Sequence, residues 1–145
     1  MLAFRPAEPG DAEFLSVLLG ELGYPTPAEE VPDRLAAIAE VSKSLALVAT
    51  IEDEVVGLIT IIIFPAIHQK LPGSLITSLV VSSKYRGKGI GSELVSRAEK
   101  WAAENGAARV TVGSGLRRKE THQFYLNRQY DHSGMRFTKS LSANG

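Results

Sequence analysis

Hydrophobic and polar positions divide the chain into short segments with the period of a strand or of a helix. Residues 2–5 read as a first strand, ended by Pro6 and the Pro9-Gly10 turn. Asp11 is placed to cap a helix over 12–22, where Phe14, Leu15, Leu18, Leu19 and Leu22 form one apolar stripe. Tyr24-Pro25-Thr26-Pro27 makes a stiff connection to a second helix over 28–41. Pro32 is tolerable only in a first turn, which moves that helix start toward Val31. Residues 45–51 and 55–64 are strand-like, and Glu52-Asp53-Glu54 between them predicts an antiparallel hairpin. The second run is apolar almost throughout, so both of its faces should be covered, and Gly57 marks a bulge or a close approach. Pro65 ends it, and a loop carrying His68 follows.

The next segment organises the rest. An apolar run, Leu75-Ile76-Thr77-Ser78-Leu79-Val80-Val81, leads through Ser82-Ser83-Lys84-Tyr85 into Arg86-Gly87-Lys88-Gly89-Ile90-Gly91. A helix then runs to about Ala103, with Ile90, Leu94, Ala98, Trp101 and Ala102 on one apolar face. Trp101 reads as core rather than as a platform for a ligand. Glu104-Asn105-Gly106 closes the helix. Residues 108–112 form a strand parallel to 75–81, since a helix separates the two. Residues 117–128 are helix-like, and 135–141 read as a final alternating strand. The whole is an α+β chain, a mixed central sheet flanked by helices.

Strand, glycine-rich turn and helix in that order make an anion site. Glycines remove side chains where backbone must come close to a ligand. A helix starting near Gly89 aims free N–H groups and its positive dipole end back at the turn. Arg86 and Lys88 add charge. The spacing is not that of a nucleoside-triphosphate loop, because Gly89 rather than a hydroxyl residue follows Lys88. Nor is it a dinucleotide fingerprint: the third glycine position holds Ser92, and the strand Arg109-Val110-Thr111-Val112 ends without an acidic residue.

The string from Leu79 through Arg86 to Gly91 resembles the acyl-coenzyme A loop of the GCN5-related N-acetyltransferase (GNAT) superfamily, whose pattern is R/Q-x-x-G-x-G/A after a hydrophobic strand. A second string, Arg118-Lys119-Glu120-Thr121-His122-Gln123-Phe124-Tyr125, resembles the family's R-x-x-A-H-x-F-Y. Together with the order of elements, the resemblance extends over essentially all of residues 1–145, read as one domain. It implies that Arg86, Gly87, Lys88, Gly89, Ile90 and Gly91 cradle the pyrophosphate of acetyl-CoA. Leu79, Val80 and Val81 would offer backbone to the pantetheine arm as to an added strand, with Ser114 nearby. Tyr125 would protonate the departing thiolate. Phe124 reads as the better core residue of that pair. The first two helices and their connection would form one wall of the acceptor site, with Tyr24 on it, and His68, Thr77, Ser78 and His122 are the other acceptor-site candidates. Tyr24 can equally be an exposed or packing aromatic, and His68 and His122 can equally be structural. Arg117, Arg118 and Lys119 can touch phosphate or simply open a solvated helix. Many family members carry a glutamate in the middle of the strand that here holds Thr77 and Ser78. A hydroxyl orders water but is a poor base.

Composition narrows the chemistry further. Sixteen basic and sixteen acidic residues balance, so neither nucleic acid nor an acidic membrane is an implied partner. Cysteine is absent, which removes disulfides, thiolate nucleophiles and cysteine-held zinc, so the transfer to a primary amine that the resemblance implies is expected to be direct. No metal is expected. The apolar stretch 55–67 is too short for a membrane helix, Arg5, Pro6 and Glu8 interrupt any leader-like segment, and a cytoplasmic location follows by default. A small-molecule or peptide amine is the expected acceptor. Family resemblance also implies a possible homodimer. A noncatalytic acyl-CoA binding or sensing module is the alternative on the same fold.

Overall fold

Near-continuous β-branched sequence between Val55 and Ile63 makes one strand that needs cover on both faces, and the architecture supplies it. The computed structural model describes residues 1–113, 119–131 and 137–142, with backbone alone for 119–122. The chain divides into two compact units, 1–113 and 114–145.

In the first unit five strands lie in sequence order: β1 (Leu2–Pro6), β2 (Ser44–Ile51), β3 (Glu54–Phe64), β4 (Gly73–Val81) and β5 (Val110–Val112). The first four are antiparallel neighbours, and β5 joins β4 in parallel, so the sheet is mixed. The acidic turn is a tight hairpin, with Glu52 and Asp53 both at positive φ, 50° and 67°. On one face α1 (Ala12–Leu22) and α2 (Val31–Ala39) bury Leu15, Leu18 and Val31 against Val48, Leu58 and Val80. On the other lies α3 (Ile90–Glu104), whose Leu94, Val95, Ala98 and Ala102 are buried. Gly57 is the close approach expected of it. A Cβ there would stand 3.1 Å from Leu94 Cδ1, and the β2–β3 ladder shifts register beside it. No helix among the described residues is long and apolar enough to cross a membrane.

The junction of β1 and α1 is pinned electrostatically. Arg5 forks onto Asp11 through Nη1–Oδ2 and Nη2–Oδ1 contacts of 2.9 and 2.8 Å, and Asp11 Oδ2 also accepts from the Glu8 N–H. The Arg5 hydrogen bonds hold the Asp11 carboxyl below its ordinary range, aided by Glu8 N–H and opposed by burial. A depressed carboxylate contributes stability that is present above its unfolded pKa, about 3.9, and is lost as pH falls below that value. Asp11→Asn should therefore cost about 1.5–3 kcal/mol at neutral pH. Denaturant titrations between pH 5 and pH 3 should show a steeper fall in stability for the parent than for the variant.

In the second unit α4 (Lys119–Asn127) begins inside the predicted span of 117–128, of which 117 and 118 lie outside the described residues. Tyr125, not Phe124, is the buried member of its pair, at 6% exposure. Its ring meets Phe124 and Tyr130 edge-on, at centroid distances of 5.1 and 5.4 Å. The helix ends with the Tyr130 N–H returning to Tyr125 C=O, which puts Gln129 at φ 69°. Glycine usually takes that position. Gln129→Gly should therefore stabilise the protein by about 0.5–1 kcal/mol, visible as a raised Tm.

The predicted final strand does not form over its described part. Residues 137–142 are irregular or bent, and Phe137 and Leu141 are both 93% exposed. Alternation supplies a face to bury but no ladder, and a strand needs a partnered edge. Met135 and Arg136 lie outside the described residues.

Candidate functional site

The glycine-rich loop is built by backbone geometry rather than by packing. A short 3-10 turn, Ser83–Tyr85, is capped by the Ser82 side chain, and Arg86 then returns to extended backbone. Gly87 and Gly89 follow at φ 80° and 78°, the left-handed region that side chains avoid. Beyond its chain neighbours, a Cβ on either would meet no atom of the described residues within 4 Å, so among these the space above the loop is open. Gly91 differs: it is helical, and a Cβ there would touch Val81 Cγ2 at an ordinary 3.6 Å.

Gly89 is the N-cap of α3, and no side chain caps it. The first intrahelical bond runs from Glu93 N–H to Gly89 C=O, 3.1 Å, so the amides of Gly89, Ile90, Gly91 and Ser92 lie ahead of it. Lys88 stands over the Tyr85 ring at 5.6 Å. Arg86 donates from Nε to Val81 C=O at 3.3 Å and approaches Glu21 Oε1 at 3.8 Å. Glu21, on α1, also accepts the Ser83 N–H at 2.8 Å, so it braces the loop from the opposite helix layer. Nothing in the sequence around Glu21 marks that role. Open amides, a dipole end and two cations can bind a phosphate-bearing ligand.

Beside the loop, β4 has a stretch of edge that no described strand covers. Its parallel pairing with β5 covers only Ser74, Leu75 and Ile76. Among the described residues no strand pairs with Thr77 to Val81 on that side. Ser82 N–H goes to Val56 C=O on β3, whereas Val81 C=O accepts from Arg86. Strand alternation then turns the backbone groups of Leu79 and Val81 toward that edge and those of Val80 toward β3. Val80 is therefore not a backbone donor to an added chain: it packs in the core at 5% exposure.

Where β5 leaves β4, the β3–β4 ladder shifts register between Thr60 and Ile61, with Thr77 as the extra residue. Thr60 Oγ1 lies 2.5 Å from both Thr77 Oγ1 and Ser78 Oγ. The fork thus holds three hydroxyls. Thr60 was legible only as the polar residue in the otherwise apolar run from Leu58 to Ile63. The connection between α1 and α2 is also firmly held. Ser16 Oγ donates to Thr26 C=O at 2.6 Å, Thr26 Oγ1 to Tyr24 C=O at 2.8 Å, and Arg34 Nη1 to Thr26 Oγ1 at 3.2 Å. Tyr24 on that connection is 66% exposed, and His68 is exposed on the β3–β4 loop. The structure thus brings Thr77 and Ser78 together and leaves Tyr24 and His68 on separate loops. Ser114 and the side chain of His122 lie outside the described residues. Among the described residues no group of three or more His, Cys, Asp or Glu could hold a metal ion.

Comparison with known proteins agrees with this geometry. The acetyltransferase (GNAT) family model matches residues 12–129. The chain is 38% identical over 88 residues to an aminoalkylphosphonate N-acetyltransferase of Salmonella typhimurium, covering 61% of this chain and 57% of that protein. It is 40% identical over 53 residues to the uncharacterized N-acetyltransferase YhdJ of Bacillus subtilis, covering 37% of each. The chain thus spans little more than half the length of the first of these relatives and about a third of the second. Its fold is that of a Staphylococcus aureus GNAT family acetyltransferase, with a TM-score of 0.82, 24% identity, and coverage of 97% of this chain and 98% of that one.

Proposed function

The chain belongs to the acetyltransferase (GNAT) family, and from that premise we propose that it is an acetyl-CoA-dependent N-acetyltransferase acting directly on a primary amine. One juxtaposition carries the reading: an uncapped α3 start with two left-handed glycines beside the β4 edge that no described strand covers. The amides of residues 89–92, with Arg86 and Lys88, would hold the pyrophosphate. The outward backbone groups of Leu79 and Val81 would hold the pantetheine arm as an added strand. These contacts fix the thioester near the fork, where an amine can approach it.

The amine nitrogen forms a C–N bond to the carbonyl carbon, the C–S bond breaks, and the thiolate needs a proton. By the family resemblance, the Tyr125 phenol is the proposed donor. The proton lost by nitrogen passes to water or a nearby side chain. With no cysteine in the chain, none can hold the acetyl group between donor and acceptor. Cytoplasmic location and homodimeric assembly belong to the same proposal.

A second reading, a noncatalytic acyl-CoA sensing module, is favoured by the hydroxyls of Thr77 and Ser78 standing where many family members carry a carboxylate. Free-thiol release from acetyl-CoA across a panel of primary amines separates the two. The Salmonella relative makes an aminoalkylphosphonate the first amine to offer, followed by polyamines, aminoglycosides, amino acids and peptide amino termini. Amine-dependent thiol release is the expected result. Tight acetyl-CoA binding without it would favour the sensing module, and no binding would overturn both.

A further inference from the structure

Each backbone amide of the turn between β4 and the glycine loop has a partner. Ser82 N–H donates to Val56 C=O at 2.8 Å, Ser83 N–H to Glu21 Oε1 at 2.8 Å, Lys84 N–H to Ser82 Oγ at 3.4 Å and Tyr85 N–H to Ser82 C=O at 2.9 Å. The first of these joins the neighbouring strand, and the last two close the turn on itself. Of the four, only the Ser83 bond ties the turn to the helix layer of α1. Ser83 opens the 3-10 turn, so its N–H has no partner inside it. A carboxylate is the strong kind of acceptor for such an amide. Glu21 also lies 3.8 Å from the Arg86 guanidinium, but that contact is long and Arg86 is exposed, so it holds little.

What hangs on that bond is the loop itself. Arg86 follows the turn directly, and its Nε returns to Val81 C=O at 3.3 Å. Turn and arginine thus form one small unit at the end of β4, with the glycines and the start of α3 next in the chain. Glu21 stands in the last turn of α1, a helix whose Leu15 and Leu18 are buried in the core. The tether is therefore anchored on a part of the molecule that does not move with the loop. It has an electrostatic cost. A carboxylate beside two cations and a row of open amides weakens, by charge alone, the binding of an anion there. Positioning and repulsion act in opposite directions, so variants of matched charge separate them.

We propose that Glu21 is a positioning residue for acetyl-CoA: by accepting the Ser83 N–H it fixes the turn on α1, and so sets where Arg86 and the amides of residues 89–92 stand before the pyrophosphate arrives. This rests on the acetyltransferase reading above. A loop set in advance loses less freedom when the ligand binds, and that saving appears as affinity. The same bond takes the Ser83 amide out of competition, so the anion meets its amides at 89–92 and not in the turn.

Two pairs of proteins hold the charge constant and change only the oxygen. Glu21→Gln and Glu21→Ala are both neutral, and glutamine keeps an oxygen that can accept the Ser83 N–H. The parent and Glu21→Asp both carry the carboxylate, and aspartate draws it back by one methylene. In calorimetry, acetyl-CoA should bind Glu21→Ala about tenfold more weakly than Glu21→Gln, and Glu21→Asp about tenfold more weakly than the parent, the value of one hydrogen bond. Charge repulsion alone predicts no difference within either pair. At saturating acetyl-CoA, kcat and the amine KM of Glu21→Ala should stay within about twofold of Glu21→Gln, a split that general damage to the fold would not give. Ser83→Pro removes the amide proton at a place that suits proline, the first residue of a turn after Ser82 at ψ 137°. In that background the difference between Glu21→Ala and Glu21→Gln should vanish. Equal acetyl-CoA Kd in folded Glu21→Ala and Glu21→Gln, or a difference that persists in the Ser83→Pro background, would overturn the role of Glu21 while leaving the acetyltransferase reading intact. If Glu21→Ala does not fold, the parent and Glu21→Asp decide on the same terms. A parent protein that binds no acetyl-CoA contradicts that reading and this role together.

Discussion

Tyr125→Phe should lower the single-turnover rate of acetyl transfer by about 10² to 10⁴. The substitution removes one oxygen and keeps the ring. Tyr125 is 6% exposed, with its ring set edge-on against Phe124 and Tyr130. Phenylalanine preserves those ring contacts, so the fold should survive. On the proposed reading, the variant lacks the proton donor for the sulfur that leaves the thioester. KM for acetyl-CoA should move far less, because on the proposed reading the glycine loop and the β4 edge hold the donor. Steady-state turnover can conceal the effect if product release is slow, so the chemical step must be watched in a single turnover. A folded Tyr125→Phe with the parental rate would leave Tyr125 a packing aromatic.

Gly89→Val should weaken acetyl-CoA binding about 100-fold or more, roughly 2.7 kcal/mol. Beyond its chain neighbours, no atom of the described residues lies within 4 Å of a Cβ at Gly89, so the new side chain would enter the space above the loop. On the proposed reading that is the space a pyrophosphate needs in order to reach the amides of residues 89–92, and each charge-assisted bond lost there is worth about 1.5–3 kcal/mol. Backbone strain complicates the experiment, since valine at φ 78° costs about 1–2 kcal/mol of stability. Gly106 provides the control. It sits beyond the opposite end of α3 at φ 93°, also with no such atom within 4 Å. Gly106→Val should lose comparable stability and keep the parental Kd. Equal loss of affinity in both variants would assign the effect to strain.

The glycine loop was legible because everything that makes it is local. Arg86, the alternating glycines and the apolar face of α3 lie within a few residues of one another, and their spacing states the geometry. The hairpin at Glu52-Asp53 and the start of α2 at Val31 were legible for the same reason. What the sequence concealed depends on long-range register. Thr60 meets Thr77 and Ser78 only because the β3–β4 ladder shifts by one residue, and no local pattern states where a shift falls. Glu21 reaches Ser83 across 62 positions of sequence. The backbone role expected of Val80 failed on parity, since alternate residues of a strand face opposite edges. The order of burial expected for Phe124 and Tyr125 failed because hydrophobicity ranks residues without knowing which way the helix turns them. The alternation from Met135 to Leu141 promised a strand, and its described part makes none, because alternation does not provide a neighbour.

Amide hydrogen exchange, compared between the free protein and the protein saturated with acetyl-CoA, tests the central claim without knowledge of the acceptor. Two groups of amides should gain protection together: those of Leu79 and Val81 on the β4 edge, and those of residues 89–92 at the start of α3. The Val80 amide, already bonded toward β3, should change much less. Acetyl-CoA binding that leaves the exchange of Leu79, Val81 and residues 89–92 unchanged would contradict the account and place the ligand elsewhere on the molecule.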